Sequence, residues 1–289
     1  MSGVAALWNV YDQDGPTDPP INLYYNTGTA QLAVSIRSST EAPDSGKGFA
    51  AAENDHPGVI LNPSEIACGV FRGFQIVIAA TEPMTASGTR PTTNQISAVS
   101  PVYMGLAQTS LQNAKVSMSA SKANAWVYFL DGTAEHGVRL KEFNYTTGGV
   151  TSYLEGADIK LNSSLASWYD EASDERFVIY QRYSTSNTDL KEFNVTTRDN
   201  SPKAGTSVAV TNHKGIVYLY YTDSQSNLRR VMRRDNQWGT SAIVKNSPPV
   251  GNGQITVATA NGLNHIFYMA RDDSMAKQDF EHVHDPIEE

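Results

Sequence analysis

The sequence repeats one pattern of three short strands along most of its length, and this repeat limits the fold more than any other feature. The segment Leu-Lys-Glu-Phe-Asn occurs at 140–144 and again at 190–194. Each copy follows a run of β-branched and aromatic residues, at 126–131 and at 177–181, which is typical of a buried strand. A unit that returns at a nearly constant spacing predicts a ring or stack of similar modules.

Weaker copies extend the pattern to six units. We mark each unit by the residue that opens its middle strand, and successive marker positions are 41 to 53 residues apart. The marker positions are Asn22, Gln75, Trp126, Phe177, Tyr218 and His265. This period predicts an all-β fold, a six-bladed β-propeller with short antiparallel sheets around an axis. A β-sandwich is the alternative, but it gives no reason for six copies of one strand triplet.

We expect a single propeller domain over residues 1–277, because a blade cannot bury its faces alone. Residues 278–289 are then an acidic C-terminal tail. Its His-Val-His segment at 282–284 is interpreted as part of a frayed terminus, so no metal site is expected. The blades are expected at about 3–40, 63–105, 113–150, 160–198, 205–242 and 252–277.

Composition excludes several classes of function. The 289 residues include 22 Lys and Arg against 30 Asp and Glu, and the net charge of -8 repels nucleic-acid phosphates and anionic lipids. The single cysteine, Cys68, excludes an intrachain disulfide, and its apolar neighbours indicate a buried, unreactive thiol. The sequence has no glycine-rich phosphate loop, Gly-x-Ser-x-Gly or His-Glu-x-x-His. We therefore expect no nucleic-acid partner and no cofactor.

The cellular location has two interpretations. No stretch reaches 18 uncharged apolar residues, so membrane insertion is not expected. The first residues lack the basic and apolar parts of a signal peptide, which leaves the cytoplasm, or the secretory pathway with a leader absent from this sequence. In the second case the sequons at Asn144, Asn162 and Asn194 are expected to carry glycans.

The repeats that are most alike within the chain also suggest a family. Residues 164–168, 177–181 and 190–193 resemble blades of the fungal fucose-specific lectins, six-bladed propellers whose sugar sites lie between adjacent blades. The resemblance implies an arginine at the marker position, a glutamate on the next strand and an aromatic residue under the sugar.

The chain departs from that pattern at the arginine. The glutamate is kept at Glu142 and Glu192, but no marker position is an arginine. Arg176 comes one residue early, and a shift of one residue turns a strand side chain to the opposite face, so we do not expect it to substitute. Since charge-assisted hydrogen bonds to a sugar need both partners, a lectin of this kind is expected to have an altered, non-fucose specificity.

The whole chain also resembles the lectin-related propellers that act as hetero-Diels-Alderases in fungal tropolone-sesquiterpenoid biosynthesis. That resemblance implies a cofactor-free [4+2] addition of a humulene-type olefin to an o-quinone methide, formed when a hydroxymethyl tropolone loses water. Such chemistry needs an apolar pocket and a few polar groups. The expected partners are hydrophobic small molecules of tropolone and humulene type, and homodimerisation is left open.

The cyclase interpretation assigns roles to named residues. His265 is the acid or base candidate, Arg230 is placed to bind tropolone oxygens, and Tyr218 completes the catalytic set. The substrate-binding candidates are Trp126, Phe177, Asn22 and Gln75. In the alternative, the marker residues only pack between blades, and Arg230 lies on an exposed edge strand whose charges prevent pairing. Function would then belong to the long loops 38–63 and 82–93.

Overall fold

The computed structural model is a ring of six antiparallel sheets, which confirms the expected all-β propeller fold. It describes residues 3–9, 18–41, 47–50, 58–83, 93–112, 114–133, 137–153, 159–182, 190–192, 195–196, 206–271 and 279–288. Of 47–50, 191–192 and 195–196 only the backbone is described. The described residues include no helix with the length and apolar character needed to span a membrane.

The strands of each blade are contiguous in sequence. Blade 1 contains β1 (Val4–Trp8), β2 (Ile21–Asn26), β3 (Leu32–Arg37) and β4 (Lys47–Ala50). Blade 2 contains β5 (Ile66–Phe71), β6 (Phe74–Thr81), β7 (Asn94–Ser100) and β8 (Met104–Thr109). Blade 3 contains β9 (Val116–Ala120), β10 (Ala125–Thr133), β11 (Gly137–Asn144) and β12 (Val150–Tyr153).

The second half of the ring follows the same plan. Blade 4 contains β13 (Ala166–Asp170), β14 (Glu175–Gln181), β15 (Leu190–Glu192) and β16 (Val195–Thr196). Blade 5 contains β17 (Val208–His213), β18 (Ile216–Thr222), β19 (Leu228–Arg234), β20 (Gln237–Trp238) and β21 (Ala242–Ile243). Blade 6 contains β22 (Thr256–Ala260), β23 (Leu263–Tyr268) and β24 (Glu281–Pro286).

The ring closes where blade 6 meets blade 1, an interface that we call the seam. The first strand of each blade packs against the first strand of the next, and β22 packs against β1. At the seam the Val4 amide donates to Gln254 Oε1 at 2.8 Å, and the Ala6 amide donates to Thr256 Oγ1 at 2.9 Å. Among the described residues, no strand from one end of the chain pairs within the sheet of the other.

The hydrophobic core is divided among the six blade interfaces. Alternate side chains of a middle strand point to opposite faces of the sheet, and therefore to opposite neighbouring blades. In β10, Val127 and Phe129 pack toward blade 2, whereas Trp126, Tyr128 and Leu130 pack toward blade 4. A polar side chain near the end of such a face therefore lies in a cleft between two blades. We name each cleft by the numbers of its two blades, so that the 3/4 cleft lies between blades 3 and 4.

The C-terminal residues are part of the propeller, so the expected tail at 278–289 is wrong for residues 281–286. These residues form β24, which pairs with β23 as the third strand of blade 6. The alternation explains the strand, because Val283 packs into the apolar cluster of blades 5 and 6 while His282 and His284 lie on the other face. The acidic composition hid this alternation in the sequence.

The arginine-rich strand β19 is not an exposed edge strand. It pairs with β18 along one side and with the short strands β20 and β21 along the other. Arg233 is buried and Arg230 is partly buried, because the strand lies inside its sheet. Its charges are therefore held by partners within the propeller, as described below.

Candidate functional site

The marker residues lie at five different blade interfaces, so they do not line one pocket as the cyclase interpretation expects. Asn22 and Gln75 meet at the 1/2 cleft, where the Asn22 amide donates to Gln75 Oε1 at 2.9 Å. Trp126 packs between blades 3 and 4, Phe177 between 4 and 5, and Tyr218 between 5 and 6. His265 shares a strand face with Phe267, which packs at the seam between blades 6 and 1.

The 3/4 cleft brings together an acidic side chain, a basic side chain and aromatic rings. Arg176 Nε lies 3.2 Å from Glu142 Oε2, and its guanidinium stands 4.9 Å from the centre of the Trp126 ring. The Tyr153 hydroxyl donates to Glu142 Oε1 at 3.4 Å, and Tyr169 packs against Trp126 with ring centres 5.4 Å apart. Such a pair offers donors and acceptors for charge-assisted hydrogen bonds to a polar ligand.

A cavity of about 110 Å³ opens at this ion pair. Its walls are Tyr128, Leu140, Glu142, Tyr153, Arg176 and Val178. The Tyr128 hydroxyl is buried there, beside Ser119 and the Glu142 carboxylate. Burial and the nearby Glu142 carboxylate raise the pKa of Tyr128 far above its usual range, so its hydroxyl stays protonated.

Arg176 is not expected to substitute for the marker arginine of the lectin pattern, and the structure nevertheless places it beside Glu142. Arg176 does face away from its own marker residue, Phe177, as its position on the strand predicts. That opposite face is the wall of the preceding cleft, where Glu142 of blade 3 is buried. The charge pair is therefore assembled from two blades, although no blade supplies both members.

The 4/5 cleft is filled by stacked rings. Phe177 stacks on Trp168 with ring centres 4.8 Å apart, and the Arg233 guanidinium stands 4.6 Å from the centre of Phe177. Phe177 is buried in this stack, which makes it a packing residue in the structure. The second glutamate that matches the lectin pattern, Glu192, has only its backbone described, and Asn194 lies outside the described residues.

The 5/6 cleft is occupied by the end of the chain. Arg230 Nη1 lies 3.0 Å from Asp285 Oδ1, and Arg230 Nη2 lies 2.7 Å from Glu288 Oε1. The Tyr220 hydroxyl donates to Asp285 Oδ2 at 2.7 Å, and Tyr218 is fully buried beside them. Two of the three predicted catalytic residues, Tyr218 and Arg230, therefore lie where the protein's own carboxylates already fill the cleft.

The third, His265, lies in a cluster of histidines at the seam. Its Nδ1 is 2.9 Å from Nε2 of His282, and its ring is in contact with His284. Desolvation, together with the neighbouring histidines and Arg37, lowers the pKa of His282 to about 3, so this imidazole is neutral near pH 7. One nitrogen from each of the three histidines lies within 4.8 Å of the others. The expectation of a frayed segment is wrong, because His282 and His284 belong to β24.

Sequence reasoning missed the polar groups along the propeller axis. A cavity of about 100 Å³ is lined by residues of the innermost strands, including Cys68, Ser117 and Ser167. Burial raises the pKa of Cys68 to about 12, so the thiol is protonated at neutral pH. Buried Glu65 accepts hydrogen bonds from Lys115 Nζ at 3.2 Å and Ser164 Oγ at 2.7 Å. The sequence carried no signal for this contact, because the three residues belong to three different repeats.

Two of the three sequons can be placed in the structure. Asn162 is exposed in a turn before β13, whereas Asn144 is half-buried at the end of β11. Asn144 Oδ1 accepts hydrogen bonds from the Thr146 and Thr147 amides. Their use as glycan acceptors stays a prediction.

Comparison with known proteins agrees with this architecture. No family model matches the chain. A protein of Coccidioides posadasii named wall-associated proteinase is 29% identical over 261 residues, and the match covers 79% of each chain. A protein of the same name from Coccidioides immitis is 27% identical over 256 residues.

Among solved structures, the six-bladed fucose-recognising lectin of Aleuria aurantia superimposes with a TM-score of 0.66 over 99% of this chain and 96% of its own, at 12% identity. A lectin of Burkholderia pseudomallei gives 0.54 over 99% and 84%, at 13% identity. The likeness to these lectins is one of fold.

Proposed function

We propose that this protein binds a carbohydrate in the 3/4 cleft, with a specificity other than fucose. The observation that carries the proposal is the Arg176–Glu142 pair, which lines a cavity between two blades beside aromatic rings. A carboxylate accepts hydrogen bonds from sugar hydroxyls, and a guanidinium donates to sugar oxygens. Both groups reach one ligand here because they face each other across the cleft.

The aromatic residues support the same ligand class. Trp126 is covered by Arg176 and Tyr169, so it supports the charged pair rather than the sugar. Tyr153 is half-buried and lines the cavity, which leaves part of its ring available to the apolar face of a sugar. The cleft therefore combines hydrogen-bonding and apolar surfaces in a small volume.

The arrangement of the charges is the reason to propose a different sugar. In the fucose-lectin pattern the arginine opens the middle strand of the same blade as the glutamate, and here that position is Trp126. The guanidinium instead comes from blade 4, on the opposite wall. A ligand held between the two walls of the cleft must direct different hydroxyls to the arginine and to the glutamate than a ligand held by a single blade.

The similar proteins give separate support. The Coccidioides proteins carry a name that refers to a wall, and fungal walls consist largely of polysaccharide. A wall or surface glycan is therefore the first ligand class to test. Proteolysis, the other part of that name, has no recognised motif in the present sequence.

A glycan array tests the proposal. The wild-type protein is labelled and applied beside Glu142→Gln and Arg176→Gln, with Glu175→Gln as the control, because Glu175 is exposed on the same strand as Arg176. We expect binding to a defined set of non-fucosylated glycans that both cleft variants lose and the control keeps. Binding to fucosylated glycans, or binding that survives in both cleft variants, contradicts the proposal.

One observation favours the cyclase as a second candidate. Tyr128 places a buried, protonated hydroxyl in a mostly apolar cavity, beside the Glu142 carboxylate. Such a hydroxyl is positioned to assist loss of water from a hydroxymethyl tropolone. The volume of about 110 Å³ is below the roughly 300 Å³ at which small-molecule pockets begin, and it counts more against the cyclase than against a sugar, because the addition must enclose two reactants together.

The two candidates separate in one assay. The protein is incubated with a hydroxymethyl tropolone and humulenol, and the ratio of stereoisomers of the adduct is compared with that of the same reaction without protein. The cyclase predicts a changed ratio that returns toward the uncatalysed one in Tyr128→Phe, with Tyr145→Phe as a control remote from the cavity. A ratio equal to the uncatalysed one with the wild-type protein rules out the cyclase and leaves the glycan proposal untouched.

A further inference from the structure

Three histidines on two adjacent strands share one face of blade 6. His282 and His284 are two residues apart on β24, so their side chains lie on the same side of the sheet. The register of β23 and β24 places His265 directly opposite His284. Strand alternation and pairing therefore bring the three imidazoles together without any contribution from a loop.

The cluster is tightly packed and largely removed from water. His265 is fully buried, and His282 and His284 are half-buried. The ring centres of His282 and His284 are 4.3 Å apart, and His282 stacks on Phe267 at 4.3 Å. Nε2 of His284 is buried and has no hydrogen-bond partner. A buried polar atom without a partner is costly, and a metal ion is one group that would satisfy it.

We propose that His265, His282 and His284 bind one divalent transition-metal ion, with Zn²⁺ as the expected ion. Three imidazole nitrogens with a water in the fourth position are a known tetrahedral zinc coordination. Zinc–nitrogen bonds of about 2.0–2.1 Å separate neighbouring ligand nitrogens by about 3.3 Å. One nitrogen from each ring already lies within 4.8 Å of the others, and His265 Nδ1 is 2.9 Å from His282 Nε2. Small side-chain rotations bring this set to the required spacing.

One positive charge, which would repel a metal ion, lies near the three histidines, and a neighbouring carboxylate offsets it. Arg37 of blade 1 acts electrostatically on His282 from across the seam. Its Nη2 lies 2.6 Å from Asp279 Oδ1, so a carboxylate offsets most of that charge. Asp279 also lies just before β24, and it is mostly exposed.

A metal ion here would act on the fold. All three ligands belong to β23 and β24, so the ion would fasten the last strand of the ring to its neighbour. An ion that binds only the folded protein stabilises it by RT ln(1 + c/Kd), where c is the free concentration of the ion, so the unfolding temperature rises with that concentration. The site is separate from the 3/4 cleft, so its test is independent of carbohydrate binding.

The experiment uses the full chain without an affinity tag, because a polyhistidine tag would bind the same ions. The protein is stripped with a chelator and titrated with Co²⁺, which gives visible absorption when tetrahedral, and Zn²⁺ is then added to displace it. The variants are His282→Gln and His284→Gln, which are half-buried, with His213→Gln as the control, because His213 is a half-buried histidine on β17 outside the cluster.

We expect one ion per chain in the wild type and in the control, with tetrahedral cobalt absorption and a higher unfolding temperature after zinc is added. Each cluster variant should bind more than about 100-fold more weakly, beyond the ~10–100-fold that loss of an outer hydrogen-bond partner costs. The proposal is overturned if the folded wild type binds no ion, or if His282→Gln and His284→Gln bind as tightly as the control. Circular dichroism of each variant confirms that weaker binding does not reflect unfolding.

Discussion

Arg176 Nε of blade 4 lies 3.2 Å from Glu142 Oε2 of blade 3, although the two residues belong to different repeats. Their side chains differ in environment, since 37% of Arg176 and 6% of Glu142 is exposed. The carboxylate is therefore held in place by the interface while the guanidinium retains access to solvent. This asymmetry makes Arg176 the adjustable member of the pair and Glu142 the fixed one.

The pair should couple blades 3 and 4 weakly. A double-mutant cycle with Glu142→Gln and Arg176→Gln, followed by urea unfolding, is expected to give a coupling free energy of about 1 kcal/mol, because the exposed guanidinium is screened by water. Arg176→Gln alone should destabilise more than the double variant, since it leaves a buried carboxylate without its cation. Strictly additive effects would show that the two side chains do not interact in solution.

The 5/6 cleft offers a sharper contrast between two carboxylates on the same arginine. Asp285 is buried and also accepts from Tyr220, whereas the Glu288 side chain is 46% exposed. We expect Asp285→Ala to lower the free energy of unfolding by about 3 kcal/mol, because it removes the buried partner of Arg230 and Tyr220 and leaves only the exposed Glu288 carboxylate on the guanidinium. Glu288→Ala is the matched control, with an expected loss below ~1 kcal/mol. Equal losses in urea titrations would contradict the description of Asp285 as the residue that closes this cleft.

Stability should fall in acid through Asp223. Burial alone would raise the pKa of Asp223, but hydrogen bonds from Asn227, Arg229 and the Gln225 amide lower it on balance. A lowered folded-state pKa means that the unfolded chain binds the proton first, so the stabilisation is present above about pH 4 and is lost as the pH falls through the folded-state pKa. Thermal unfolding between about pH 5 and pH 2 should show a shallower decline for Asp223→Asn than for the wild type. Asp235→Asn, at an exposed turn, should follow the wild type, and a parallel decline in both variants would contradict this role.

Glycan attachment requires passage through the secretory pathway. On secretion from a eukaryotic host we expect Asn144, Asn162 and Asn194 to carry glycans, with the highest occupancy at Asn162 because it is exposed in a turn. Intact-mass measurement of the wild type and of Asn162→Gln checks this, since the variant should lose the mass of one glycan. A secreted wild-type protein with the mass of the bare polypeptide would show that the sequons are unused.

The repeat predicts the propeller because the information is local to each blade. One hairpin is visible in the strand-type residues at 126–131 and 140–144, and its copy fifty residues later gives the period of the repeat. Each marker residue except Gln75 faces the following blade or contacts it, as strand alternation requires. Gln75 faces blade 1 instead, which a one-residue error in the start of a strand is enough to cause.

The candidate site depends on contacts between blades, which the sequence does not record. Glu142 and Arg176 look like unrelated members of two repeats until the ring places their faces together. His265 and His284 are brought into register by the pairing of β23 and β24, across a stretch with no strand pattern of its own. A composition of acidic and histidine residues at 281–285 looks like a solvated end, and only its pairing with β23 gives it a structure.

The seam between blades 6 and 1 is joined by side chains and a few hydrogen bonds, with no exchanged strand among the described residues. One interface of the ring therefore already holds without a covalent connection across it. The other interfaces use the same kind of apolar cluster, so the linkage between successive blades is a matter of chain order rather than of structural need. A circular permutant that opens the backbone between two other blades and joins the present ends should fold to the same ring. The position of the chain ends can then be chosen. Any one cleft can be placed between the first and last blades without a change in the side chains that form it.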